Sequence, residues 1–223
     1  MVACENGHDP CALQLIEAKA DLEKQTAMGN SALMLACQSG HEQCARVMIE
    51  AGANVNQTDK DGYTVLMFAC QLGHDPCVLQ LIEAGAKVDL TAKNGFTALM
   101  LACENGHDRV ALQLIKAGAN VEKQTADGWT ALMLACQEGH DRVALQLIEA
   151  GAGVNHAAIN GATALMAACQ CGHDRVALQL IEAGAKVNQT EEDGWTALML
   201  ACQEGHDRVA LQLIEAGAGV NHA

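Results

Sequence analysis

Aromatic residues are nearly missing from this 223-residue chain: Phe, Tyr and Trp together make up 2% of it. An interior assembled around large rings is therefore excluded. The core has to be aliphatic, built from Leu, Ile, Val, Met, Ala and Cys. Basic residues are also few, with 13 Lys and Arg against 27 Asp and Glu, a formal net charge of −14. An acidic surface repels phosphate backbones, so nucleic acid is not the expected partner, and a basic protein or peptide segment suits it better. No stretch approaches the ~20 consecutive apolar residues of a bilayer-spanning helix, so no membrane segment is expected. The opening residues, MVACENGHDP, hold neither a basic region nor an apolar one and do not read as a signal peptide.

Repetition is what the chain has in quantity. Asp127–Ala157 reads DGWTALMLACQEGHDRVALQLIEAGAGVNHA and recurs unchanged at Asp193–Ala223. Looser copies fill most of the remainder at a spacing of 33 residues. A Gly followed two residues later by Thr or Ser marks each copy: Gly29, Gly62, Gly95, Gly128, Gly161 and Gly194. One further copy lies upstream, because Ala3-Cys4 and Gly7-His8 stand 33 residues before Ala36-Cys37 and Gly40-His41. Self-similarity at a fixed period marks a stacked array. We expect a single array of seven units, about 1–26, 27–59, 60–92, 93–125, 126–158, 159–191 and 192–223. The first lacks its opening turn, and the last stops inside the turn Gly219–Ala223.

One unit can be read from its physics. Thr130 is a good N-cap for the helix ALMLACQE, and Gly139 closes it as the residue after the C-cap. Leu132, Met133, Ala135 and Cys136 share one face of that helix. A second helix starts at His140-Asp141 and runs to about Ala150, with Val143, Ala144, Leu147 and Ile148 inward and Gly151 as its left-handed stop. Val154 then anchors an extended turn. Pro10 and Pro76 fall in the first turn of second helices, where no amide bond is lost. Helices this short do not hold alone in water, so stability is a sum of unit and interface terms.

The eleven cysteines follow the same logic. Cys4, Cys37, Cys70, Cys103, Cys136, Cys169 and Cys202 lie on the repeat period. Equivalent positions in stacked repeats are ~8–10 Å apart, too far for a disulfide. They are expected to be buried thiols in a reducing compartment. Cys11, Cys44 and Cys77 stand where other units have Val110, Val143, Val176 and Val209, and are expected in the core.

At the level of motif, the chain closely resembles the ankyrin repeat family over essentially its whole length. The resemblance rests on Gly62-Tyr63-Thr64-Val65-Leu66, Gly73-His74 and Gly85-Ala86-Lys87-Val88, repeated in every unit. It implies an all-α solenoid of stacked helix-turn-helix units joined by β-turn or hairpin connections. It also implies a concave binding surface made of turn tips and the exposed edge of the first helix. Two departures stand out. The family's Pro-Leu-His element is Ala131-Leu132-Met133 here, and six of the seven units carry a Leu-Gln pair such as Leu145-Gln146 where the family has a polar residue and then Leu. Only Arg46-Val47 keeps the usual order.

Four of the five aromatics occupy one tip position: Tyr63, Phe96, Trp129 and Trp195, with Asn30 and Ala162 at the equivalents. Large aromatics at regular spacing have the composition of binding hot spots. The first-helix edge varies in the same way, as Asn6, Ser39, Leu72, Asn105, Glu138, Cys171 and Glu204, beside a row that includes Gln137. The expected partner-binding residues are therefore Tyr63, Phe96, Trp129, Trp195, Leu72, Gln137, Glu138 and Glu204. Cys171, in that exposed row, is the candidate reactive thiol. The in-register histidines His8, His41, His74, His107, His140, His173 and His206 cannot converge on one ion across repeats. They read as structural residues bonded to neighbouring backbone, while His156 and His222 read as solvated turn residues. Leu13, Leu79, Leu112, Leu145, Leu178 and Leu211 lie ~60° beyond the buried face of the second helix. Neighbouring second helices are expected to cover them; exposed, they would favour self-association.

No metal, cofactor or catalytic constellation is expected. The chain reads as an intracellular, cytoplasmic, non-catalytic scaffold for a protein or peptide. Alternatives are a targeting fragment of a larger protein with an enzyme or channel domain, or an engineered array. Uncapped terminal repeats would allow end-to-end self-association.

Overall fold

A computed structural model describes residues 1–221 and contains fourteen helices among them. They are α1 (Val2–Glu5), α2 (Asp9–Glu17), α3 (Ala32–Gln38), α4 (Glu42–Glu50), α5 (Val65–Gln71), α6 (Asp75–Glu83), α7 (Ala98–Glu104), α8 (Asp108–Lys116), α9 (Ala131–Gln137), α10 (Asp141–Glu149), α11 (Ala164–Gln170), α12 (Asp174–Glu182), α13 (Ala197–Gln203) and α14 (Asp207–Glu215). The fold is an all-α repeat of helix pairs. Its extended pairing, among the described residues, is limited to isolated bridges such as Thr58 with Thr64 and Gln124 with Thr130.

The local reasons recur from pair to pair. Thr130 sits in extended backbone and its hydroxyl accepts from the Met133 amide, satisfying a donor that the first turn of α9 leaves over. Ser31, Thr64, Thr163 and Thr196 do the same for α3, α5, α11 and α13. The loss of a first-turn Pro is tolerated because the hydroxyl cap fixes the helix start, joined at α3, α5 and α13 by a Met Sδ that accepts from the amide of the capping residue. Pro10 and Pro76 lie in the first turns of α2 and α6, as their missing amides require.

The chain divides into two compact units. The first comprises Met1–Ala102 with Arg109–Ala119, the second Cys103–Asp108 with Asn120 onward. In the first unit α3 packs between α1 and α5, and α4 between α2 and α6. Its interior is Leu33, Met34, Cys37, Cys44, Met48, Leu66, Met67, Cys70 and Leu81. In the second, α11 packs between α9 and α13, and α12 between α10 and α14. There Leu132, Met133, Cys136, Val143, Leu147, Leu165, Cys169, Val176 and Leu180 are buried. Small Ala at 135, 144, 168 and 177 sits at zero exposure and lets the helices approach closely.

Four expectations need correction. Cys11 is exposed, not core. Its equivalent Cys44 is covered by the preceding repeat, with its Sγ donating to Asp9 Oδ1 at 2.9 Å, whereas among the described residues no second helix of an earlier repeat covers Cys11 or Leu15 of α2. Cys202 is exposed for the converse reason, since its face is the one that a following repeat covers at Cys136 and Cys169. His156 is half-buried, and its Nε2 is shielded without a hydrogen-bond partner. The outer leucines are not covered: Leu13, Leu79, Leu112, Leu145, Leu178 and Leu211 are all exposed. Neighbouring second helices touch through the Val and second Leu positions, which leaves the preceding Leu outside the contact. Ile148 is half-buried. His222 lies outside the described residues.

Candidate partner-binding surface

Each tip is a tight loop tied to itself. The Asp59 amide donates to the Tyr63 carbonyl at 2.9 Å, and the Thr125 amide donates to the Trp129 carbonyl at 2.9 Å. Thr125 Oγ1 also accepts from the Trp129 amide at 3.1 Å, and Asp59 Oδ1 from the Tyr63 amide at 2.8 Å. Gly128, φ +82°, provides the left-handed step at the bend, and a Cβ there would meet the Ile159 amide nitrogen at 3.0 Å. One backbone bond links successive tips: Lys60 to Met28 and Lys93 to Asp61 in the first unit, Ile159 to Asp127 and Glu192 to Asn160 in the second. The tip side chains are therefore mounted on a laddered, preorganised edge, which lowers the entropy lost on binding.

A second ladder runs through the lower turns. Glu122 Oε1 accepts from the Gly153 amide at 2.7 Å, Asn155 Oδ1 from Lys186 at 2.7 Å, and Asn188 Oδ1 from Gly219 at 2.7 Å. A third lies at the starts of the second helices, where Arg142, Arg175 and Arg208 pair with Asp108, Asp141 and Asp174 of the preceding repeat at 3.5, 3.1 and 3.1 Å. These arginines are exposed, so each pair contributes ~1 kcal/mol or less.

The histidines form the fourth tie. His140 Nε2 donates to the Glu104 carbonyl at 3.1 Å, His173 to Gln137 at 2.9 Å and His206 to Gln170 at 3.1 Å. In the first unit His41 donates to Glu5 and His74 to Gln38. Each ring satisfies an orphan carbonyl at the end of the preceding first helix. No group of three or more His, Cys, Asp or Glu converges as a metal set among the described residues.

The candidate residues fall into two sets. Tyr63, Leu72 and Phe96 belong to the first unit. Tyr63 and Phe96 are half-buried and Leu72 is exposed. The Tyr63 ring centroid is 5.9 Å from that of Phe68, and its hydroxyl accepts from Asn94 Nδ2 of the next tip at 3.1 Å. Trp129, Gln137, Glu138, Trp195 and Glu204 belong to the second unit. Trp129 is half-buried, while Trp195 is 37% exposed. Trp195 lines an open cleft with Gly194, Met199, Cys202 and Gln203, on the face that the following repeat covers at Met133 and Cys136. Gln137 Nε2 donates to Glu138 Oε1 at 3.3 Å, and Gln203 repeats this with Glu204.

The edge of the second unit is electrostatically loaded. Burial and the neighbouring Glu138 carboxylate raise the Glu104 carboxyl above its ordinary range. Glu104 stands in the row of Gln137, where every unit has Glu or Gln, so nothing in the letters singles it out. Its proximity to Glu138 appears only on stacking. Cys171 is exposed, and partial burial together with Glu138 and Glu204 raises its thiol. It is accessible, and its thiolate is disfavoured rather than activated. All eleven cysteines are thiols outside any disulfide.

Laddered helix pairs with exposed tips define the class of helical-repeat interaction scaffolds. A family model described as ankyrin repeats (3 copies) matches residues 1–92, 80–158 and 146–223. The chain belongs to the ankyrin repeat family. It is similar to the crystal structure of the human ASB11 ankyrin repeat domain, with 28% identity, a TM-score of 0.86, and coverage of 97% of this chain and 96% of that one. A search of curated protein sequences finds no match. Ankyrin repeats are generally protein–protein interaction modules. Among the described residues no helix is long and apolar enough to cross a membrane.

Proposed function

We propose that the protein is a non-catalytic scaffold that binds a partner protein or peptide carrying a basic segment. The partner docks in the concave groove of the family, between the tip loops and the first-helix edge. The observation that carries this reading is the acidic first-helix edge, where Glu138 and burial raise the Glu104 carboxyl and where Glu138 and Glu204 both act on Cys171. A row of carboxylates suits a cationic segment through ion pairing, and the exposed Trp195 indole, with Asp193 beside it, suits a cationic side chain through cation–π attraction. Tyr63, Phe96 and Leu72 supply apolar anchors in the first unit, and Gln137 a polar contact beside Glu138. The thiols, Cys171 among them, fit a reducing intracellular compartment.

A binding screen with Lys/Arg-containing peptides identifies a ligand, and calorimetry then compares the parent with Trp129→Ala/Trp195→Ala. Loss of a hot-spot aromatic costs ~2 kcal/mol or more, so the double variant is expected to bind at least about thirtyfold more weakly. Glu138→Gln/Glu204→Gln is expected to reduce the salt dependence of binding. A ligand that binds all three proteins equally well rules out this groove.

A further inference from the structure

Sulfur gathers at one place in the first unit, and partner binding at the tips leaves it unexplained. The Cys4 Sγ of α1 lies 3.5 Å from the Met48 Sδ of α4, and both side chains are buried. Cys44 stands one turn before Met48 on the same face of α4 and is fully enclosed. Its thiol and that of Cys4 are within hydrogen-bond reach of each other. Two thiols and a thioether, from helices of two successive repeats, therefore face one point. The row of periodic cysteines does not show this, because the juxtaposition is between a first helix and the second helix of the next repeat.

The other units supply an internal comparison. Met48 is matched elsewhere by Leu15, Leu81, Leu114, Leu147, Leu180 and Leu213. Cys44 is matched by Val110, Val143, Val176 and Val209, and by Cys11 and Cys77. An aliphatic core thus needs neither sulfur at these sites, and only α4 carries both. Cys37 and Cys77 form a second thiol pair in the first unit, but Leu81 stands where a thioether would complete it. A cavity of 290 Å³ opens onto Cys4 and Met48, and its lining includes Met1, Ala12, Leu15 and Ile16. It provides an entry path to the sulfurs.

We propose that Cys4, Cys44 and Met48 form a three-coordinate site for a cuprous ion, which ties the first repeat to the second. Soft thiolate and thioether donors favour Cu(I). Zinc takes four ligands from thiolate, imidazole or carboxylate, and no three such groups converge among the described residues. Around an ion with metal–sulfur bonds of about 2.3 Å, three trigonal sulfurs stand about 4 Å apart, so Cys4 and Met48 need to part by only about 0.5 Å. Burial raises both thiols, so they are protonated in the free protein, and a coordinated thiol is deprotonated outright. Each cuprous ion therefore replaces two thiol protons, which pass to water, and no electron is transferred. The Cys44 thiol already donates to the half-buried Asp9 carboxylate at 2.9 Å, which gives that proton a way out. None of these residues belongs to the tip loops or the exposed first-helix edge, so the site stands independently of the binding function proposed above.

The test titrates the reduced full chain, its exposed thiols removed by Cys11→Ser/Cys171→Ser/Cys202→Ser, with Cu(I) held by the chromogenic chelator ferrozine under anaerobic conditions. The chain is expected to withdraw one ion per molecule, to show three sulfurs in the copper shell by X-ray absorption, and to melt at a higher temperature when loaded. Met48→Leu installs the residue of every other unit; it is expected to bind about tenfold or more weakly and to show a two-sulfur shell. Cys44→Val, as in four other units, is expected to lose the ion, while Cys37→Ala keeps it. Far-UV spectra of the Met48 and Cys44 variants are expected to match the parent, since other units already use both replacements. Copper that stays with the chelator overturns the proposal. So does a two-sulfur shell in the parent, or binding that Cys44→Val and Met48→Leu leave unchanged, which places the ion at other thiols.

Discussion

Replacing Gly139 with Ala tests whether the stack is held by histidine rings seated on glycines. Gly139 has φ +75°, and a Cβ built there would lie 2.5 Å from both Nδ1 and Cε1 of His173 in the next repeat. Two costs follow. Holding Ala in the left-handed region costs roughly 1–2 kcal/mol. The ring must also withdraw, which breaks its 2.9 Å bond to the Gln137 carbonyl, worth a further ~1 kcal/mol. The expected destabilisation is about 2–3 kcal/mol. Gly151 is the control for the backbone cost alone: it has φ +88°, and a Cβ added there would meet nothing within 4 Å. Gly205 occupies the site equivalent to Gly139, with φ +72° and the same open space. Both Gly151→Ala and Gly205→Ala are expected to cost only the roughly 1–2 kcal/mol of backbone strain. Urea unfolding followed by circular dichroism reads the three variants, and His173→Ala closes a double-mutant cycle whose coupling energy is expected near ~1 kcal/mol. Equal losses for Gly139→Ala and Gly151→Ala, with zero coupling, would refute the seating of His173 on Gly139.

Two further outcomes follow from the core. Leu145 is exposed, while Gln146 Oε1 is shielded without a hydrogen-bond partner. Leu145→Gln/Gln146→Leu puts the apolar group inside and frees the shielded amide oxygen; it is expected to raise the unfolding free energy by about 1–3 kcal/mol in urea titration. The Cys169 thiol is pushed by burial from 9.0 to about 12. Its folded pKa is raised, so its contribution is intact below pH 9 and is lost as pH climbs toward 12, by about 1.4 kcal/mol per pH unit. Cys169→Ala is expected to flatten the alkaline fall in stability by that slope; identical slopes for parent and variant between about pH 9 and 11.5 would contradict it.

Much of the fold was legible in the chain because its signals are local. Thr130 caps α9, Gly139 and Gly151 take positive φ, and the helices α9 and α10 begin and end within a residue of their expected places. The structural reading of the histidines was also reachable, since residues one repeat apart cannot share an ion. The acidic cluster was only half legible. Glu138 and Glu204 stood out by position, but the influence of Glu138 on Glu104 depends on how closely stacking brings their carboxylates. Burial at the ends of the described chain escaped the repeat pattern, because identical letters meet different neighbours: Cys136 is at zero exposure while Cys202 is exposed.

The repeat, the helix pairs, the caps and stops, the aliphatic core and the family are all readable in the amino-acid string, because each follows from residue chemistry acting over a few positions or from a period of 33 residues. How much of each second helix its neighbours cover emerges only when the repeats stack. Helices packed side by side bury a stripe narrower than the apolar pattern suggests, so Leu147 is enclosed and Leu145 is left in solvent. Helical phase already turns Leu147 inward and Leu145 away from the core; whether a neighbouring helix reaches far enough to cover Leu145 depends on contacts between repeats rather than within one.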